Sequence, residues 1–152
     1  MEKQFFDLDY SEVKKILKNR EPMLLVRDVS VIPGEIVICK RTLRKDEWFF
    51  PCHFPNEPLL PGVLQLEMLF EMAALAVKVL EENREKLTNV VKVSKVSFLH
   101  HIRPDDSIVA RVYIDRFKRG VIEAHGTIEC AGELACMSEF VLAIPKDMPT
   151  IS

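Results

Sequence analysis

Apolar and polar residues alternate along most of this chain, and the period of that alternation changes in its middle. Before the change, residues 9–18 carry Val13, Ile16 and Leu17 at helical spacing, with Asp9 placed as a cap and Glu12 three residues on to close a capping box. Residues 23–32 are rich in leucine and valine and predict a strand. Pro33-Gly34 predicts a turn, and residues 35–44 a returning strand with Ile36, Ile38 and Lys40 on one face. Residues 45–62 break the pattern. Pro51, Pro55, Pro58 and Pro61 exclude a regular helix or a central strand, yet Trp48, Phe49, Phe50 and Phe54 keep the stretch apolar. A stiff apolar loop packs down in one shape, as a site loop must.

Gly62 then opens a helix predicted to reach about Lys86. From Val63 to Leu80 it is apolar nearly all round, interrupted by Gln65, Glu67, Glu71 and Lys78, so it should be buried on most sides. Beyond it the period returns to two. Residues 89–101 predict a valine-rich strand. Residues 107–117 predict another, with Ile108, Ala110, Val112 and Ile114 on one face. Residues 121–130 follow with Ile122, Ala124, Ile128 and Cys130 inward, and residues 134–144 form the last strand. Strands in succession with short turns imply an antiparallel sheet. A buried helix and one large sheet satisfy each other if the sheet curls round the helix, an α+β architecture. A single open sheet leaves edges, and pairing between two copies would cover them.

The chain of 152 residues suits one domain, residues 1–152. Its formal net charge of −2 lacks the basic footprint of a nucleic-acid binder. No apolar run is long enough for a membrane span, and the first residues, MEKQFFDLDYSEVKK, are too acidic for a signal peptide, so a cytoplasmic setting is expected. Cys39, Cys52, Cys130 and Cys136 form no CxxC pair and are expected reduced, mostly in the core. Cys52 adjoins His53, but adjacency alone does not activate a thiol. His100 and His101, read as strand residues, would point to opposite faces and could not easily share a metal ion. His125 falls on the polar face of its strand.

The candidate chemistry lies in Cys52 to Ala74. His53 sits in the stiff loop, and imidazole is the side chain suited to accept a proton near neutrality. Glu67, fourteen residues on in an apolar helix, has apolar neighbours whose desolvation favours its protonated form. A base and an acid with opposed environments are the parts of an elimination. The N–H groups at Gly62, at the positive end of the helix, could hold a developing oxyanion. Glu71 lies one turn after Glu67 on the same face.

The stretch His53-Phe54-Pro55-Asn56-Glu57-Pro58-Leu59-Leu60-Pro61-Gly62-Val63, followed by Glu67, resembles the signature of the 3-hydroxyacyl-acyl-carrier-protein dehydratases. Residues 16–26 and the segment from Phe98 to Asp106 extend the resemblance over nearly the whole chain. It implies a hot-dog fold and an obligate homodimer, often a trimer of dimers, with His53 of one subunit facing Glu67 of the other. It implies that His53 removes the C2 proton and that Glu67 assists departure of the C3 hydroxyl. The Gly62 N–H would bind the thioester carbonyl and the Leu59 carbonyl orient the His53 ring. Phe54, Val63 and Phe70 would lie along the substrate. No metal or redox cofactor is implied, the phosphopantetheine arm arriving with the acyl carrier protein. The chain departs from the family pattern in four places. Asn56 replaces a glycine, Phe70 a small alanine and Glu71 a glutamine, and Leu99-His100 replace paired arginines. Coenzyme A as carrier, a non-catalytic acyl- or partner-binding role, and a thioesterase therefore remain as alternatives.

Overall fold

The computed structural model describes residues 3–149. Its elements in chain order are β1 (Phe6–Leu8), α1 (Tyr10–Ile16), β2 (Val29–Ile32), β3 (Ile36–Thr42), α2 (Gly62–Lys78), β4 (Asn89–Phe98), β5 (Ser107–Lys118), β6 (Val121–Cys130) and β7 (Glu133–Ala143). The strands form one antiparallel sheet in the order β1-β2-β3-β5-β6-β7-β4. Helix α2 packs on β3, β5, β6 and β7, so the sheet wraps it as the period change anticipates and as the hot-dog fold requires. No helix among the described residues is long and apolar enough to cross a membrane.

Where local pattern decides the geometry, the expectations hold. Asp9 caps α1 by accepting from the Glu12 N–H at 2.9 Å while its own N–H donates to Glu12 Oε1 at 3.3 Å. Ile108, Ala110 and Val112 of β5 and Ile122, Ala124, Ile128 and Cys130 of β6 are buried against α2. Gly126 continues that inward row. A Cβ there would lie 3.0 Å from both Leu69 Cδ2 and Val112 Cγ2, so glycine lets the helix approach the sheet. Cys39, Cys130 and Cys136 are buried, Cys52 is exposed, and all four are free thiols.

On β3, Ile36, Ile38 and Lys40 share one face as expected, and it is the outer one: Val37 and Cys39 point inward, pairing with Val31 and Val29 on one side and with Val112 and Ala110 on the other, all buried. Three expectations change. The strand expected from Met23 begins only at Val29. Leu24, Leu25 and Val26 are buried in a loop, and the Leu25 and Val26 N–H groups donate to the Glu71 carboxyl instead of to a strand. Helix α2 stops at Lys78, where Gly34 N–H takes the Ala76 carbonyl, Asn83 Nδ2 takes that of Val77, and Arg84 takes those of Lys78 and Val79. His100 and His101 lie beyond the end of β4, in a loop rather than on alternating faces.

The last strand added to the sheet, β4, leaves Val90, Val91, Val93, Val96 and Phe98 exposed. Helix α2 has a matching gap in its burial, where Gly62, Val63, Leu66, Glu67 and Phe70 form its only stripe not fully covered.

Candidate active site

The loop ahead of α2 is built as a small clamp. Phe54 and Glu57 exchange backbone hydrogen bonds at 2.9 and 3.1 Å, and Leu59 N–H donates to the His53 carbonyl at 2.8 Å. Leu60 N–H donates to the Ile102 carbonyl at 2.8 Å, tying the loop to the segment after β4. The prolines leave little freedom besides, so the His53 ring is presented from a fixed backbone.

His53 Nδ1 lies 3.1 Å from the Leu59 carbonyl oxygen. That oxygen can only accept, so Nδ1 carries the hydrogen and Nε2 keeps its lone pair. The Phe54 ring stacks on the imidazole with centroids 4.1 Å apart, fixing its plane. Cys52 turns away, its S–H donating to the Phe49 carbonyl at 3.3 Å.

A cleft of about 590 Å3 opens over this histidine, lined on one side by His53, Leu59, Leu60, Gly62 and Gln65. Its opposite wall is the segment from Phe98 to Arg103. The Phe98 ring covers Gly62 so closely that a Cβ there would sit 3.0–3.3 Å from three ring carbons. Glycine at the helix start therefore keeps the first N–H groups of α2, which have no intrahelical partner, near the cleft.

The structure thus brings together His53, Leu59 and Gly62. It does not bring Glu67, Val63, Phe54 or Phe70 into the lining of this cleft. Val63 is 73% exposed and Phe54 52%. Phe70 leans edge-on against Phe140 with centroids 5.0 Å apart, outside the cleft. Asn56 is exposed and keeps an ordinary negative φ, so the glycine it replaces is not required for backbone shape.

Glu67 is half-buried, and burial pushes its carboxyl above the usual range. Glu71 is 2% exposed and is pushed up to about 8, chiefly by burial and further by the charge of Glu67, against two donated backbone N–H bonds. Those bonds come from Leu25 at 2.8 Å and Val26 at 3.1 Å, both to Oε1.

Sequence reasoning did not single out Gln65 as a lining residue, nor the wall from Phe98 to Arg103. Gln65 is buried, and its Nε2 donates to the Leu60 carbonyl at 3.3 Å. Its one legible signal was a polar side chain in an otherwise apolar helix. His100 faces Glu133 across 3.3 Å, and no cluster of three or more potential metal ligands occurs among the described residues. His125 is half-exposed, Nδ1 bonded to Asp115 at 2.8 Å and the ring stacked on Tyr113.

Residues 17–139 match the model of the FabA-like domain. The chain belongs to the FabA-like family. It is 37% identical over 138 residues to the 3-hydroxyacyl-[acyl-carrier-protein] dehydratase FabZ of Oceanobacillus iheyensis, covering 90% of this chain and 99% of that one. It is 33% identical over 141 residues to the FabZ of Thermoanaerobacter pseudethanolicus, covering 92% and 99%. Among solved structures, the dehydratase heterocomplex ApeI:P of Xenorhabdus doucetiae superposes with a TM-score of 0.75 at 17% identity, over 88% of this chain and 90% of that one. A hypothetical thioesterase of Streptococcus pneumoniae, solved with coenzyme A, superposes at 0.60 and 11% identity, over 76% and 83%. These two likenesses are of fold.

Proposed function

We propose that this chain is a 3-hydroxyacyl-acyl-carrier-protein dehydratase of fatty acid synthesis, a hydro-lyase giving a trans-2-enoyl thioester. The observation that carries the reading is His53. Its Nδ1 is committed to the Leu59 carbonyl, so Nε2 is a base aimed from a rigid loop beside an N–H-rich helix start. In the proposed reaction Nε2 takes the C2 proton while the Gly62 N–H holds the thioester oxygen as it gains charge. The C3–O bond then breaks, the electron pair of C2 forms the C2=C3 double bond, and Glu67 gives the departing hydroxyl the proton that makes it water.

Glu67 lies outside the cleft of its own protomer. The reading therefore assigns the acid to a second copy. Two surfaces support a homodimer: the exposed valines of β4 at the sheet edge and the uncovered stripe of α2 that carries Glu67. An acyl carrier protein is the partner this reading gives, and the cytoplasm its setting. His100, His101 and Arg103 at the cleft are the basic and titratable groups such a carrier would meet.

The test is dehydration of 3-hydroxyacyl thioesters, and hydration of the enoyl products, on carrier protein and on coenzyme A across several chain lengths. His53→Ala should lower turnover by about 10²–10⁴-fold, the usual contribution of a general base. Absence of both reactions with every substrate would refute the proposal. Release of free thiol from an acyl thioester without enoyl formation would assign a thioesterase instead.

A further inference from the structure

We infer that Glu71 is a positioning residue held as a carboxylic acid, whose Oε2–H donates to the Glu67 carboxyl and fixes that group for its part in the elimination. The inference rests on the dehydratase reading for its consequence, but its geometry stands apart from it.

The two oxygens of Glu71 have different surroundings. Oε1 accepts from the N–H groups of Leu25 and Val26 at 2.8 and 3.1 Å. Oε2 is buried with no donor from the chain. An ionised carboxylate would therefore leave half its charge on an oxygen that nothing solvates, a costly arrangement. A carboxylic acid resolves this, because residues four apart on a helix are neighbours and the Glu67 carboxyl one turn earlier is the acceptor for its proton. With the proton on Oε2, both oxygens are satisfied, and Glu67 receives a directed donor.

Among the described residues no cation is placed to stabilise the alternative. Arg27 Nη1 donates to the Leu24 and Val26 carbonyls. Arg41 Nη1 donates to the Leu25 carbonyl at 2.7 Å while its Nη2 pairs with Glu47. The buried face of α1 presents Val13 and Ile16. The sheet presents apolar side chains and the thiols Cys39, Cys130 and Cys136. Among the described residues Glu67 is the charged group acting on Glu71, and it raises the cost of ionisation. The same hydrogen bond acts oppositely on the partner: donation from Glu71 draws the Glu67 carboxyl back down against its burial. Glu67 stays raised on balance, so it can carry the proton that it gives to the departing hydroxyl while Glu71 keeps its own as the donor.

Glu71 would not touch substrate. It acts through Glu67, holding an otherwise free carboxyl in one rotamer toward the partner's cleft. It is itself anchored by a loop 45 residues earlier in the chain. The glutamine usual in the family and the glutamate here would share one feature, a donor facing the acid. They would differ in that the acid's donor can be lost to pH.

The test compares kcat/KM against pH for the wild type, Glu71→Gln and Glu71→Leu. Wild-type activity should fall as Glu71 ionises above about pH 8, and Glu71→Gln should keep activity within ~3-fold near neutrality and lack that alkaline fall. Glu71→Leu, which has no donor, should lose ~10-fold or more at every pH. An identical alkaline fall in Glu71→Gln, or wild-type behaviour in Glu71→Leu, would overturn the inference. Carbon-13 carboxyl titration by NMR reads the proton without turnover. If Glu71 titrates in the ordinary carboxyl range, the inference fails whatever the activity. If Glu71 titrates near 8 but no substrate is dehydrated, the positioning acid stands and the dehydratase reading fails.

Discussion

Burial of Glu71 makes stability depend on pH in the direction opposite to that of a salt-bridged carboxylate. Its carboxyl moves from 4.5 to about 8 on folding, so between those values the folded chain holds a proton that the unfolded chain has released. Where the folded state binds more protons, stability falls as pH rises. The contribution is intact below about 4.5 and is lost progressively as pH climbs to 8. At 1.36 kcal/mol per unit the full shift corresponds to about 5 kcal/mol, a large part of the stability of a domain this size. Glu71→Gln keeps the shape and the acceptor for Leu25 and Val26 but cannot ionise. Denaturant unfolding of wild type and variant, at one protein concentration, should therefore diverge with pH. The advantage of the variant should grow by about 4 kcal/mol between about pH 5 and about pH 9, roughly two-thirds of it below neutrality, and level off above about pH 8. Glu67 is present in both proteins, so the double difference reports chiefly on Glu71. A gap that stays constant within about 1 kcal/mol across that range would refute the protonated, buried state.

Two further outcomes follow from the site and the edge. Gly62→Ala places a methyl group 3.0 Å from the half-exposed Phe98 ring, which has to give by a few tenths of an ångström. Stability measured by thermal unfolding should then stay within about 1 kcal/mol, helped by the unfolded-state gain of alanine over glycine, while turnover falls steeply as the methyl and the displaced ring crowd the cleft. Full retention of activity would remove Gly62 from the site. Val91→Lys adds a charge to a side chain already 62% exposed on β4, so the protomer should fold while the proposed dimer fails to form. Light scattering that shows an unchanged dimer would place the interface elsewhere.

Much of the site was legible locally. The proline-stiffened loop, the glycine at the helix entry and the histidine–glutamate spacing are properties of a short stretch. The Leu59 carbonyl meets His53 because only six residues separate them. The strands β5 and β6 were legible for the same reason: a period of two decides which side chains share a face, without reference to neighbours. The capping box of α1 closes within four residues.

What only the tertiary structure decided are the contacts that cross the chain. The inward face of β3 follows from its pairing with β2 and β5, and its own alternation fits either choice. The end of α2 is set by side chains and an N–H from outside the helix that satisfy its carbonyls. The opposite wall of the cleft, with Phe98 over Gly62, comes from the end of a strand that joins the far edge of the sheet and from the loop after it. Most of all, the character of Glu71 was undetermined by its helix, where it could equally face solvent. It is accepted into the core because Leu25 and Val26 have no strand partner and turn their N–H groups to it, and the burial itself, against those two bonds, pushes its carboxyl up. Local periodicity assigns a side chain to a face, but its charge state depends on which groups, distant in sequence, replace water around it.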